Sequence, residues 1–130
     1  MTVKRIVPVD GLADFSRYGF SQCVVSGRHV FVAGQCGLGD KNEIPGSFAE
    51  ECRATLNRVR LAVEAAGGTL DDIVAMTVFV TDIRLSGEFS EIRREYFGGD
   101  FPTSALIGVS ALVPPGARIE IQATAMLPEV

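Results

Sequence analysis

The chain has 130 residues, a formal net charge of −4 and 47% hydrophobic residues, which fits one globular domain (residues 1–130) that buries its own core. The mild acidity and the lack of a clustered basic stripe argue against a nucleic-acid partner. No apolar run approaches membrane-spanning length, and the first residues lack the hydrophobic core of a signal peptide, so we expect a cytoplasmic protein with no membrane partner.

The first part of the chain has the pattern of three β-strands. Residues 3–9 indicate a short strand, and residues 21–25 and 29–33 are β-rich runs joined by Ser26-Gly27-Arg28, a hairpin signal. The glycine-rich segment 34–39 follows, but its spacing matches neither a Walker P-loop nor the dinucleotide fingerprint. A bulged strand end is therefore expected there rather than a phosphate site.

Two helices separated by one long strand are predicted next. Ser47 has Glu50 three residues on, a capping-box pattern, and apolar residues then recur at helical spacing as far as Gly67-Gly68. The β-branched run over residues 73–80 predicts a buried strand. A second helix is predicted over about residues 86–97.

The charges of the second helix are mixed. Arg93 and Arg94 stand beside Glu91 and Glu95, which is typical of a solvated helix surface. Phe89, Tyr96 and either Ile92 or the aliphatic stem of Arg93 are expected to point inward.

Residues 104–109 and 118–126 predict two more strands, and the last of them alternates apolar with polar side chains. Its polar face is too sparsely charged for an ordinary wet surface and too polar for a core, as expected where a sheet meets another subunit or lines a cleft. Glu120 is a carboxylate on that face and is therefore a candidate for acid–base catalysis. The polar face comprises Arg118, Glu120, Gln122 and Thr124.

The order of elements is βββ-α-β-α-ββ, an α+β domain. Two helices cannot cover both faces of so many strands, so we expect them to pack on one face of the sheet. The other face would remain partly apolar, and an exposed apolar patch of this kind predicts self-association.

The cysteines and the single histidine give no sign of a metal site. Cys23, Cys36, Cys52 and His29 lack metal-ligand spacing, and an odd number of cysteines suits a reducing compartment. Cys36 has no nearby cation or histidine in the sequence that would favour its thiolate. An inert thiol is expected.

Four blocks of the sequence resemble the RidA/YjgF family, also described as L-PSP endoribonuclease-like. Gly19-Phe20-Ser21-Gln22-Cys23 is similar to the family's Pro-Tyr-Ser-Gln-Ala block, and Val32-Ala33-Gly34-Gln35 to its Ser-Gly-Gln strand end. Residues 65–82 are similar to its central Ala-Gly and Thr-Val-Phe-Leu-x-Asp segments. Residues 101–121, from Phe-Pro to Ile-Glu-Ile, resemble its C-terminal signature.

This resemblance implies a chorismate-mutase-like fold: a mixed β-sheet with two helices on one face, assembled as a homotrimer with ligand clefts between subunits. It implies hydrolysis of reactive enamines or imines to a ketoacid and ammonia without a metal or organic cofactor. Glu120 would be the catalytic group, managing protons with a bound water. Phe20, Gly34, Ser104 and Leu106 would bind the small-molecule substrate, with glycine allowing close approach at position 34.

The chain departs from the family pattern at two of these positions. Ser104 stands where Pro-x-Arg-Ser would place an arginine, and Phe20 replaces the usual tyrosine. A serine cannot hold a carboxylate with the two parallel bonds of a guanidinium. We therefore expect altered substrate specificity. Arg118, on the predicted face of Glu120, and Arg17 are two candidates for a replacement, and the sequence places neither of them in the cleft.

Two other functions compete with an altered deaminase. Loss of the arginine and the tyrosine also fits a non-catalytic, ligand-binding trimer. The endoribonuclease or translation-inhibitor role attached to the family name is disfavoured by the net charge of −4 and the missing basic stripe.

Overall fold

The computed structural model of the chain describes residues 3–129, so the first two residues of the N-terminal segment considered above lie outside the described part. Six strands and two α-helices are present in this part, together with short 3-10 turns. The strands are β1 (Arg5–Ile6), β2 (Cys23–Ser26), β3 (His29–Gln35), β4 (Ile73–Val80), β5 (Thr103–Gly108) and β6 (Ile119–Met126), and the helices are α1 (Phe48–Ala65) and α2 (Ser86–Tyr96).

The strands form one mixed sheet in the order β1-β2-β3-β6-β4-β5. Only β4 and β5 run parallel, joined by the crossover through α2, and the other pairs are antiparallel. The predicted first strand is shorter than expected, because Pro8 has no N–H to continue the ladder beyond Val7. This order leaves β5 as an edge strand with no neighbour on its outer side within the described chain.

Helix α1 begins where the capping pattern predicts. The Ser47 side chain accepts a hydrogen bond from the backbone N–H of Glu50 at 3.1 Å, which satisfies one of the free donors of the first turn. The helix ends before Gly67, whose φ of 98° suits glycine. Its apolar stripe packs on β3 and β6 and includes Phe48, Cys52, Leu56, Val59 and Val63, all buried.

Both helices lie on one face of the sheet, as predicted. The buried residues of β4 alternate with half-exposed ones, and the buried set (Met76, Val78 and Val80) faces the helices. Helix α2 contributes Phe89 and Ile92 to the same core. No helix within residues 3–129 is long and apolar enough to cross a membrane.

The opposite face of the sheet is uncovered in the single chain. Phe31 and Ile107 are 47% and 43% exposed there, and the pairing of Phe79 with both Ile107 and Glu120 puts all three side chains on this face. We call it the open face. Its exposed aromatic and aliphatic side chains agree with the expectation that a second surface covers it.

Candidate functional site

Glu120 projects from the middle of the open face and lies against Gly34. Strand β3 is irregular between Val32 and Gln35, the bulge expected from the glycine-rich sequence. A Cβ atom at position 34 would lie 2.5 Å from Oε2 and 2.8 Å from Cδ of Glu120. The missing side chain of Gly34 therefore makes the space that the Glu120 carboxyl group occupies.

The Cys36 thiol is the hydrogen-bond donor to this carboxylate. Its Sγ lies 3.4 Å from Oε1 of Glu120. Burial, together with the nearby negative charge of Glu120, raises the pKa of Cys36 to about 12. Because the thiol form therefore dominates at neutral pH, Cys36 acts as a donor and not as a nucleophile, which agrees with the inert thiol predicted from the sequence.

A hydrogen bond between two motif glutamines connects the segment that contains Phe20 to the C-terminal end of β3, next to Gly34. The buried Gln35 Nε2 donates to Gln22 Oε1 at 2.7 Å, and Gln22 Nε2 donates to the carbonyl of Ala13 at 3.0 Å. Phe20, two residues before Gln22, is 46% exposed, with its ring centroid 5.3 Å from that of Phe15. Sequence reasoning quoted both glutamines as motif residues without pairing them.

Ser104 and Leu106 lie on the other face of the sheet, away from Glu120. Ser104 pairs with Met76 and Leu106 with Val78, and both β4 residues face the helices. Glu120 pairs with Phe79, which is an odd number of residues from Met76 and so faces the opposite way. One chain therefore brings Gly34 and Glu120 together but does not place Ser104 and Leu106 beside them.

An arginine that the sequence reading assigned to the solvated helix surface occupies the Ser104 side. Arg93 Nη1 donates to Ser104 Oγ at 2.7 Å and lies 3.7 Å from the sulfur of Met76. Its guanidinium carbon is 4.9 Å from the centroid of the Phe89 ring, one helical turn earlier. The i, i+4 spacing from Phe89, on the edge of the buried stripe, was the available signal.

The comparisons with known proteins agree with this fold. The Endoribonuclease L-PSP family model matches residues 13–127. The chain belongs to this family. The RidA/YjgF resemblance is thereby confirmed, since the same family includes the relatives described next.

Relatives of this L-PSP-family chain include a rat protein named 2-iminobutanoate/2-iminopropanoate deaminase, 38% identical over 109 residues that cover 82% of this chain and 79% of the rat protein. A member of the highly conserved YjgF family from Mycobacterium tuberculosis has a similar structure, with a TM-score of 0.82, 34% identity, and coverage of 96% of this chain and 100% of that one. The Rid-family protein YyfA from Yersinia pestis gives a TM-score of 0.87 at 28% identity, with coverage of 96% and 100%.

The two arginines considered as replacements for the family arginine both have other contacts in this L-PSP-family chain. Arg118 precedes β6, and its Nε donates to the buried Glu51 at 2.6 Å, so the expectation that it shares the face of Glu120 is wrong. The strand alternation does not extend back to Arg118, because the carboxylate of Glu51 on α1 binds both its backbone N–H and its guanidinium. Arg17 is exposed and donates to the Tyr18 hydroxyl at 2.8 Å.

Two further features of the described chain stand apart from these residues. No group of three or more His, Cys, Asp and Glu side chains within residues 3–129 is placed to hold a metal ion. A polar surface cavity of about 460 Å³ lies between the helices, and the Arg53–Glu95 ion pair lies in its wall. None of the five site residues predicted from the sequence lines that cavity.

The Glu120 carboxylate on the open face has the surroundings that proton exchange with a water molecule requires. A carboxylate is held in one position by a glycine contact and a thiol donor, and it stays half-buried rather than fully hydrated. A group fixed in this way can accept a proton from a water molecule and return it without reorganising its surroundings.

Proposed function

We propose that this chain is a cofactor-free hydrolase that converts a small imine or enamine to the corresponding carbonyl compound and ammonia, with Glu120 as its acid–base catalyst. The observation that carries the proposal is the Glu120 carboxyl group, seated over Gly34 with the Cys36 thiol as donor. The deaminase names of relatives such as the rat protein, 38% identical, support the same reaction class.

The reaction requires the protein mainly to position the water and the substrate and to transfer protons. Glu120 takes a proton from water as the water oxygen bonds to the imine carbon, and it passes this proton to the imine nitrogen, which gives a neutral carbinolamine. Glu120 then takes the hydroxyl proton as the C=O bond forms and delivers it to the nitrogen as the C–N bond breaks. The products are a carbonyl compound and ammonia, and holding the water near an electrophilic carbon supplies most of the rate gain.

The proposed assembly is a homotrimer with the substrate between neighbouring subunits. Strand β4 separates the Glu120 strand from the Ser104 strand, which puts two strand spacings, about 10 Å, between them, and the two side chains face opposite ways. A small substrate cannot contact both within one chain. A neighbour whose β5 edge covers the open face would bring Ser104 and Leu106 of one subunit to Gly34, Phe20 and Glu120 of the next.

The groups that contact the substrate differ in this proposal from those of a family member with arginine on β5. Ser104 offers a short neutral hydroxyl, and Phe20 offers a ring without a phenolic oxygen. The side of the cleft nearest β5 is accordingly built from Ser104, Leu106 and the α2 side chain that contacts Ser104.

The test measures ammonia and ketoacid release from freshly generated 2-iminobutanoate, above the uncatalysed rate. Glu120→Gln should lower kcat by about a hundredfold or more, the range for a lost general acid–base group. Gly34→Ala should also lower kcat, because its methyl group displaces the end of the flexible Glu120 side chain, with little loss of stability. Glu64→Gln, at an exposed position on α1, is the matched control and should behave as wild type.

Full activity of Glu120→Gln on every substrate that wild type hydrolyses would refute the mechanism. Ligand binding with no turnover of any imine would instead favour the non-catalytic binding trimer. Ribonuclease activity that survives further purification and disappears with Glu120→Gln would favour cleavage of RNA.

A further inference from the structure

The edge of the sheet at β5 carries a guanidinium group in a defined position. Arg93 reaches it from α2, with Nη1 2.7 Å from Ser104 Oγ and 3.7 Å from the Met76 sulfur, over the face of the fully buried Phe89. Three separate contacts from one helix and two strands therefore fix the side chain. An arginine that only extends from a helix surface into solvent would not make these three contacts.

The charge of this guanidinium is not neutralised within the described chain. Arg28, Arg53, Arg84 and Arg118 each form an ion pair with a carboxylate, and Arg93 is one of the arginines that form none among residues 3–129. Arg93 is nevertheless partly buried, and this burial lowers its pKa. A partly dehydrated cation without a counter-charge is costly, so an anion from outside the chain would gain free energy there.

The donors that remain suit a carboxylate. A guanidinium has five N–H donors in a planar fork, and the contacts with Ser104 and Met76 both use Nη1. Nε and Nη2 have no hydrogen-bond acceptor among residues 3–129, and together they can form the two parallel bonds that a carboxylate accepts. The Ser104 hydroxyl accepts from Nη1 and keeps its own proton for the same ligand.

An apolar surface lies directly beyond this polar pair. Leu106 is on the same face of β5 as Ser104, two residues along, and packs against the core while remaining half-exposed. Along this surface the charged Arg93 comes first, then the polar Ser104 and then the apolar Leu106. A ligand with a carboxylate at one end and a short alkyl chain at the other matches this order.

We propose that Arg93, which reaches β5 from α2, binds the substrate carboxylate, with Ser104 holding the guanidinium in place. This inference rests on the proposed deaminase function and names the residue that would bind the substrate. The cation expected on β5 is supplied from α2, so Ser104 does not leave the cleft without a positive group. A neutral-imine specificity, which the serine alone would favour, is not expected.

The experiment measures both binding and turnover, so that the two proposals can fail separately. Calorimetry with 2-oxobutanoate tests binding of the carboxylate, and hydrolysis of 2-iminobutanoate tests catalysis. Arg93→Gln should weaken 2-oxobutanoate binding and raise KM by about tenfold to a hundredfold, as for a lost charge-assisted fork, with kcat changed much less. Arg94→Gln removes the same charge from the next, exposed position and is expected to match wild type.

A charge swap guards against the trivial explanation that Arg93→Gln perturbs the fold. Arg93→Ser alone should bind 2-oxobutanoate weakly, and Arg93→Ser combined with Ser104→Arg should recover most of the affinity, because a guanidinium again projects from the same edge. Wild type should also bind 2-oxobutanoate at least tenfold more tightly than its methyl ester, an order of magnitude set by the lost charge.

Unchanged 2-oxobutanoate affinity and KM in a folded Arg93→Gln variant would overturn the inference while leaving the deaminase proposal intact. Arg93-dependent binding of 2-oxobutanoate without turnover of any imine would support the inference and refute the deaminase proposal. Equal affinity of wild type for the acid and its methyl ester would overturn the inference regardless of turnover.

Discussion

At the scale of single residues, the contact between Cys36 and Glu120 links a measurable property to the proposed catalyst. The thiol donates to the carboxylate at 3.4 Å, and burial and the negative charge of Glu120 together raise its pKa to about 12. The reactivity of Cys36 therefore reports on the charge of Glu120 without any need for a substrate.

Alkylation of Cys36 by iodoacetamide at pH 8 should be about a thousandfold slower than that of an ordinary thiol, because a pKa near 12 leaves so little thiolate. The rate should rise with pH up to that value, since deprotonation creates the nucleophile. Glu120→Gln removes the nearby negative charge, lowers the pKa of Cys36 and should speed alkylation at fixed pH. Mass spectrometry of the labelled peptide measures both rates.

The buried Cys23 and Cys52 serve as internal controls, since both should remain unlabelled in wild type and in Glu120→Gln. Rapid labelling of Cys36 at pH 8 in the folded wild type, or no response to Glu120→Gln, would contradict the contact between the thiol and the carboxylate.

The residues of the candidate site were predictable from sequence to different degrees. Glu120 stood out because strand alternation is a local pattern, whereas Gly34 was proposed as a site residue only through the family resemblance of Val32-Ala33-Gly34-Gln35. Arg93 was missed because its neighbours Glu91 and Glu95 give a typical solvated pattern. Its contact with Ser104 depends on the β4-α2-β5 crossover, which brings residue 93 within hydrogen-bond distance of residue 104, and no local pattern encodes that contact.

At the scale of elements, the ends of helices and strands followed from capping and turn residues. Ser47 begins α1 and Gly67 ends it, as the sequence predicts. The last strand was predicted one residue too long, since Arg118 turns toward α1 to meet Glu51. The carboxylate of Glu51 is only 1% exposed, so this pair fastens the first turns of α1 to the start of β6.

Arg118→Ala should lower the free energy of unfolding by about 3 kcal/mol, because it leaves the buried Glu51 charge without its guanidinium. Urea unfolding with an unchanged slope measures the loss. Arg84→Ala removes an exposed guanidinium from Asp82 and should change stability little.

Arg118→Ala should leave KM for 2-iminobutanoate unchanged at a temperature where the variant is folded. A raised KM together with unchanged stability would make Arg118, and not Arg93, the carboxylate-binding cation.

At the scale of the whole molecule, the order of strands decides what one chain can and cannot bring together. The sequence predicted the mixed α+β architecture, but not that β6 would insert between β3 and β4. That insertion places Glu120 next to Gly34 and leaves Ser104 on an outer edge facing the other way. In the proposed trimer, the two halves of the site would therefore come from two different surfaces of the chain.

Subunit mixing tests whether neighbouring chains supply the two halves. In a cyclic trimer assembled from equal amounts of Glu120→Gln and Arg93→Gln, a site is intact when the first variant contributes Arg93 and the second contributes Glu120. At a substrate concentration well below the wild-type KM, about a quarter of wild-type activity should therefore return. Each variant alone is expected to be impaired. Co-expression with two different tags, tandem purification and the ammonia assay measure the recovery.

Mixing Glu120→Gln with Gly34→Ala is the matched control: both changes damage the same half, so every site stays defective and no recovery is expected. Equal recovery in the two mixtures, or none in the first despite confirmed mixed trimers, would refute a site shared between neighbouring subunits.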